Sequence, residues 1–278
     1  CIYPSFPPEV LERTALTLRV GDVRDLAELT GALTAAGYVR CEQVEGVGQF
    51  ALRGGILDFF SPAWDRPIRC EFFGDELDSM GLFDPDTQRR TENLQEAELL
   101  PVAEALPQCA PGGIPGLLEA LDGLIGRVRK EKNASPELLS TLSADRERLE
   151  NGVSFPAVDR YLALIYPRMT TAADYLPADA VVCLSESPRV AERARNYLWR
   201  LEEDCKSLLE SGLLAGEAAV LARSWEELSQ RLADWPLLYL DTFPTSSYPC
   251  RPRTLLDVMA KQLPSYGASL ETACTDLE

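Results

Sequence analysis

Apolar residues recur at helical spacing early in the chain: Val23, Leu26, Leu29 and Leu33 fall on one face. Asp22 stands where an N-cap would, and Gly37 suits the left-handed residue that ends a helix, so a helix is expected over 22–36. A strand-like run follows over 38–44. The period then changes. In PIRCEFF, 67–73, Ile68, Cys70 and Phe72 alternate with Arg69, Glu71 and Phe73, the two-residue repeat of a strand. Gly74-Asp75 and Asp84-Pro85-Asp86 mark tight turns, and Gly54-Gly55 marks a strand that bends or bulges. One helix and several antiparallel strands predict a small α+β domain over 17–105. Residues 1–16, with Pro4, Pro7 and Pro8, read as a linker from a preceding domain.

The stretch LPQCAPGGIPG, 106–116, breaks the pattern and reads as an exposed boundary. Beyond it the spacing is mostly helical. Leu117, Leu121, Ile125 and Val128 mark one helix; Leu138, Leu139 and Leu142 mark another, opened by Ser135 and Pro136. A short apolar strand, AVVCLS at 180–185, runs into a long helix over 188–211. Its expected buried stripe is Val190, Ala194, Tyr197, Leu201 and Leu208. Ser224 and Glu227 form a capping box, and PLLYLDTF, 236–243, reads as a buried strand. The overall class is α+β: a small sheet-plus-helix domain, then a mostly helical, incomplete α/β domain over 106–278. The chain opens on Cys1 rather than Met, so a piece of a longer protein is expected.

Composition narrows the chemistry. The 278 residues carry a net charge of −17 and no histidine. An acidic surface repels phosphate backbones and counts against autonomous DNA binding. Without histidine, Ser-His-Asp and Cys-His catalysis and His-containing zinc sites are excluded. Eight cysteines contain no C-x-x-C pair, and reduced cytosolic thiols are expected, with Cys183 and Cys205 buried. The basic run RVRKEK, 127–132, lacks interleaved aromatics and reads as a solvated helix face. There is no apolar run of the ~18 residues a membrane span needs, and no signal peptide, so a cytoplasmic protein is expected. No G-x-x-x-x-G-K-[ST] phosphate loop occurs.

Four segments in order, LRVGD (18–22), GYVR (37–40), GQFALRGGILDFF (48–60) and EFFGDELDSMGLFDPDTQR (71–89), resemble the domain that UvrB-type repair proteins use to contact UvrA. Transcription-repair coupling factors, the Mfd family, carry the same domain. The later segment YLPADAVVCLSES, 175–187, resembles the stretch of UvrB that ends in its Walker B motif. There an Asp holds the nucleotide's magnesium; here Ser185 stands in its place, followed by Glu186, and the site looks degenerate. With DTQR and FPTS (243–246), this resembles the coupling factors more than UvrB.

The resemblance implies an adaptor that recruits UvrA through 17–105, with 106–278 a degenerate helicase-like scaffold. It implies no catalysis and no cofactor in this chain, ATP and Mg being used by the parent protein elsewhere. It implies a bacterial cytoplasmic protein whose partners are UvrA and the rest of its own chain, including a C-terminal masking domain. RNA polymerase and DNA would be met only through parts outside this chain. The alternative is a fragment of an ATP-dependent UvrB-type excinuclease subunit.

The resemblance also assigns residues. Arg40, Phe50 and Arg53 are expected to bind UvrA, with Arg40 and Arg53 brought to one sheet edge by antiparallel pairing. Their local reading is pairing with Glu42 or Glu45. Ala51 stands where UvrB has a further arginine. Phe59, Phe60 and Trp64 form the next candidate surface; Trp64 reads equally as a cover for the sheet. Gly54 and Gly55 read as backbone bends, Asp75-Glu76 as a turn and solvated edge, and Glu186 as a cap or surface residue.

Overall fold

A computed structural model describes residues 2–130, 135–153, 155, 157–211, 214–216, 222–243, 245 and 248–258. Helix α1 (Pro8–Thr14) leads into strand β1 (Leu16–Arg19) and helix α2 (Leu26–Ala35). Strands β2 (Val39–Arg40), β3 (Gln49–Arg53), β4 (Ile56–Phe59), β5 (Ile68–Phe73), β6 (Glu76–Phe83) and β7 (Arg90–Leu94) form a sheet in sequence order. Strand β8 (Glu96–Leu99) leaves that sheet and pairs antiparallel with β1. The sheet is antiparallel throughout except at β2–β3, which are parallel.

Helix α2 starts later than the periodicity predicts. Asp25 is its N-cap, accepting hydrogen bonds from the Ala27 and Glu28 N–H groups. Asp22 instead accepts from the Arg19 N–H, closing the turn after β1. Val23 fits the helical period but stays 72% exposed, because its backbone bridges to Glu76. Gly37 does leave the helix in left-handed backbone, at φ 90°. The expected run over 38–44 shortens to two strand residues, since Tyr38 is buried and its hydroxyl donates to the Leu100 carbonyl. Gly54-Gly55 is not a bulge within a strand. It is the connection between β3 and β4, with Gly54 at φ 60°.

One face of the sheet packs on α2 and the β1–β8 pair. Leu57, Phe59, Ile68 and Cys70 meet Leu29, Leu33, Leu18 and Leu99 there. Burying aliphatic and aromatic side chains of this size is worth about 1.5–3 kcal/mol each before entropy is counted. The other face carries a small cluster of Val44, Ala51 and Phe83, and a network of charged side chains.

The second core is built from α3 (Gly113–Val128), α4 (Pro136–Glu150) and short α5 (Leu162–Ile165). Phe6 and Val10 complete it. The N-terminal stretch expected as a linker is therefore partly helical and packed, because α1 offers Val10 to this core. The Pro/Gly stretch is also not exposed along its length: Leu106 and Ala110 are buried in the same core. The change of core falls between Val102, which packs on the first, and Ala103, which packs on the second. Asp145 is buried among these helices, taking hydrogen bonds from the Tyr161 hydroxyl at 2.8 Å and Arg148 at 3.0 Å.

Strands β9 (Val182–Ser185) and β10 (Leu237–Leu240) pair in parallel, against α6 (Ser187–Glu210) and α7 (Trp225–Leu232). The expected capping box opens α7: the Glu227 N–H donates to Ser224 Oγ and the Ser224 N–H returns to Glu227. Strand β10 is less buried than its composition suggests. Val182, Leu184 and Leu237 face the core, while Leu238 and Leu240 alternate outward and are half exposed. Cys183 follows the same alternation and is exposed, against expectation; Cys205 is buried. Leu208, expected on the buried stripe of α6, is exposed. Residues 244 and 246 of the FPTS segment, 131 and 132 of the basic run, and 259–278 lie outside the described residues. Among the described residues no helix is long and apolar enough to cross a membrane.

Candidate functional site

The charged face of the sheet is organised by register. Ala51, Asp58 and Arg69 lie opposite one another on β3, β4 and β5. Asp58 is fully buried. Its carboxylate accepts from Arg53 Nη2 at 2.7 Å, from Arg69 Nε at 2.8 Å and from Arg69 Nη2 at 2.9 Å. A buried carboxylate needs such partners, because an uncompensated charge out of water is costly. Arg69 goes on to donate to the carbonyl and side-chain oxygens of Gln88, both at 3.1 Å, and stacks 4.5 Å from the Phe83 ring centroid. Hydrogen bonding to Asp58 pushes the Arg69 guanidinium up from its already high pKa, more than burial pulls it down. Asp58 and Arg69 thus form a fixed base under Arg53.

Arg53 itself is half exposed, and only Nη2 engages Asp58. Its remaining N–H groups have no hydrogen-bond partner among the described residues. The side chain walls an open cleft of about 580 Å³ shared with Arg40, Cys41, Glu42, Gln43 and Leu52. Arg40, at the end of β2, is exposed and makes no ion pair or side-chain hydrogen bond with a described residue. The structure therefore brings Arg40 and Arg53 to one cleft, though not by antiparallel pairing. The loop over 41–48 carries the chain back to start β3 in the same direction as β2, so Arg40 sits opposite Phe50. Neither arginine pairs with Glu42 or Glu45; Arg53 pairs with Asp58 instead.

Phe50 does not belong to an exposed docking face. It is 1% exposed, because the two-residue alternation of β3 sends it to the helix-covered side, opposite Ala51 and Arg53. Phe59 is buried there too, Trp64 is half-buried against the same core, and Phe60 packs beside Phe83 on the other side. The exposed aromatic of this region is Phe73, which ends β5. Cys41 borders the cleft with its thiol donating to the Phe50 carbonyl at 3.3 Å, and burial pushes that thiol's pKa up.

The Walker-B-like position lies at the end of β9. Ser185 is exposed, and Glu186 adopts left-handed backbone, φ 53°, just before α6. The Glu186 carboxylate accepts from the Thr242 hydroxyl and the Thr242 N–H, which hold it below the usual carboxylate range. The first free N–H of α6, that of Ser187, donates to Asp241 at 2.8 Å. A carboxylate there complements the positive end of the helix. The two acidic groups at this strand end thus fasten β10 to the start of α6. Among the described residues no group of three or more His, Cys, Asp or Glu could hold a metal ion.

Asp58, Arg69 and Asp241 were not singled out by sequence reasoning. A signal existed for the first two. Asp58 interrupts the apolar run GILDFF and Arg69 the run PIRCEFF, so opposite charges stand within two strands that the turns make neighbours.

The family model described as the UvrB interaction domain covers residues 16–104, from the first residue of β1 to just past β8. These residues are similar to the UvrB interaction domain. Similarity continues beyond it. The chain is 27% identical over 275 residues to the transcription-repair-coupling factor of Bacillus subtilis (strain 168), covering 98% of this chain and 23% of that protein. It is 28% identical over 270 residues to that of Staphylococcus haemolyticus (strain JCSC1435), covering 94% of this chain and 22% of that protein. For the Staphylococcus aureus (strain MRSA252) protein the figures are 28% over 243 residues, 86% and 20%. The chain thus spans less than a quarter of the length of these relatives. The matched residues contain all of the Asp58 network and the cleft of Arg40 and Arg53.

Proposed function

We propose that this chain is the UvrA-docking portion of a transcription-repair coupling factor, acting in transcription-coupled nucleotide excision repair. The UvrB interaction domain receives UvrA at the cleft between Arg40 and Arg53, and the units that follow serve as scaffold. One observation carries this: two arginines from different strands wall one open cleft, and Arg40 has no acidic partner among the described residues. In a chain of net charge −17 an exposed guanidinium beside a second one is a local cationic point, suited to a partner's carboxylates. The similarity to transcription-repair-coupling factors over most of the chain supports the setting.

Catalysis is not assigned to this chain. It has no phosphate-cradling loop; beside α6, Glu186 accepts from Thr242, and one oxygen of Asp241 accepts from the Ser187 N–H. ATP turnover and DNA translocation belong to the parent protein outside these residues.

The test is titration of purified UvrA against the chain and its Arg40→Ala/Arg53→Ala variant. Removing one partner of a desolvated charge pair costs about 2–5 kcal/mol, or roughly 30-fold or more in affinity. The double variant should keep its circular dichroism spectrum and lose detectable binding. Binding within about threefold of the parent would overturn the assignment of the cleft.

A further inference from the structure

The docking cleft contains two arginines in different states. Arg40 is free among the described residues, whereas Arg53 is tied by one nitrogen to a buried carboxylate. That carboxylate is itself immobilised. Arg69 grips both oxygens of Asp58, and Arg69 is in turn fixed by two bonds to Gln88 and by the face of Phe83. Gln88 adopts left-handed backbone, φ 59°, and its side chain also donates to the Pro85 carbonyl at 2.7 Å. A chain of contacts therefore runs from the 84–88 turn through Arg69 and Asp58 to Arg53. Only its last member reaches the cleft.

We infer that Asp58 is a positioning residue for docking: it holds the Arg53 guanidinium so that its remaining donors meet the partner's carboxylate already oriented. This rests on the reading of the cleft as the UvrA-docking site. Arginine loses considerable rotamer freedom when fixed in an interface, and a side chain fixed beforehand does not lose it again on binding. Asp58 cannot act by contact, since it is fully buried. Nor can it act by long-range charge. A carboxylate beside a cationic cleft weakens the attraction for an acidic partner, so neutralising it by charge alone would tighten binding. Positioning predicts the opposite sign.

The experiment measures UvrA affinity by calorimetry for the whole chain and for Asp58→Asn, Arg53→Ala and the two combined, with thermal unfolding run alongside. The expected result is that Asp58→Asn weakens binding about 3- to 10-fold, the range set by fixing one rotamer-rich side chain. In the Arg53→Ala background it should change binding by less than twofold, because Asp58 then holds no side chain that reaches the cleft. Its effect on unfolding should persist there, because Arg69 still depends on it. If Arg53→Ala weakens binding but Asp58→Asn leaves it unchanged or tighter, the docking site stands and the positioning role is wrong. Equal losses in both backgrounds also overturn it, since they mean general distortion. If Arg53→Ala binds like the parent, the docking reading fails and the positioning role fails with it. Should Asp58→Asn not fold, nitrogen-15 relaxation of the arginine Nε–H groups in the unaltered chain decides. Arg53 should be markedly more rigid than Arg40, and equal mobility would overturn the inference.

Discussion

Arg69 holds Asp58 by two side-by-side hydrogen bonds, Nε to Oδ1 at 2.8 Å and Nη2 to Oδ2 at 2.9 Å, on a sheet face where Asp58 meets no solvent. This pair decides what the second face of the sheet can be. Without it the buried Asp58 carboxylate would keep Arg53 as its one charged partner among the described residues; with it both carboxylate oxygens are held.

Arg69→Met should therefore destabilise the chain by about 3 kcal/mol or more, as expected when a buried charge loses its main partner. Arg53 remains and limits the loss. Replacing both members, Asp58→Leu with Arg69→Met, should recover most of it, since a packed apolar pair needs no compensation. Urea unfolding monitored by tryptophan fluorescence gives both values. A double variant less stable than Arg69→Met would contradict the account.

Phe50→Ala should cost about 3–5 kcal/mol, the usual penalty for emptying an aromatic site in a packed core. Any loss of UvrA binding by this variant should follow its unfolded fraction and disappear under conditions that keep it folded. A fully folded Phe50→Ala chain with impaired docking would restore Phe50 to the interface.

The thiols should separate by accessibility. Cys183 is exposed on the outer face of β9, while Cys70 is fully buried in the sheet core, where burial pushes its pKa far up. The thiolate is the reactive form, so Cys70 should stay unmodified by an aromatic disulfide reagent until denaturant is added. Cys183 should react in the native chain. Peptide mapping after partial labelling identifies the order, and early modification of Cys70 would mean the sheet core opens readily.

Asp174, next to the buried Ala173, is joined to Arg231 of α7. Burial raises its pKa, but the Thr171 N–H at 2.8 Å and Arg231 lower it further, leaving it below the usual carboxylate range. A carboxyl group depressed in the folded state stabilises the fold above its unfolded pKa of about 3.9. That stabilisation is lost as pH falls through the lower folded value. Asp174→Asn should thus unfold at lower temperature than the parent at pH 7, and the difference should shrink below about pH 4. A difference that stays constant down to pH 2.5 would show that the charge is not responsible.

The sequence alone settled the sheet-plus-helix character of residues 17–105, the capped starts of α4 and α7, and the turns at Gly74-Asp75 and Asp84-Pro85-Asp86. Those features depend on neighbours within a few positions, such as Ser135 before Pro136 or Ser224 with Glu227, so local spacing reports them directly. The family segments also pointed to Arg40 and Arg53 as partner-binding residues. Only the tertiary structure decided that Phe50 is core, that β2 runs parallel to β3, and that Asp58 and Arg69 underlie Arg53. Strand alternation tells that Phe50 and Arg53 face opposite ways, but not which face the helix covers. That depends on where α2 and the β1–β8 pair come to rest, which is set by burial of Leu18, Leu33 and Leu99 from distant parts of the chain. The exposure of Cys183 and Leu238 has the same origin. Both are apolar enough for a core, yet α6 and α7 cover only one side of the β9–β10 pair, and alternation turns these two side chains to the other.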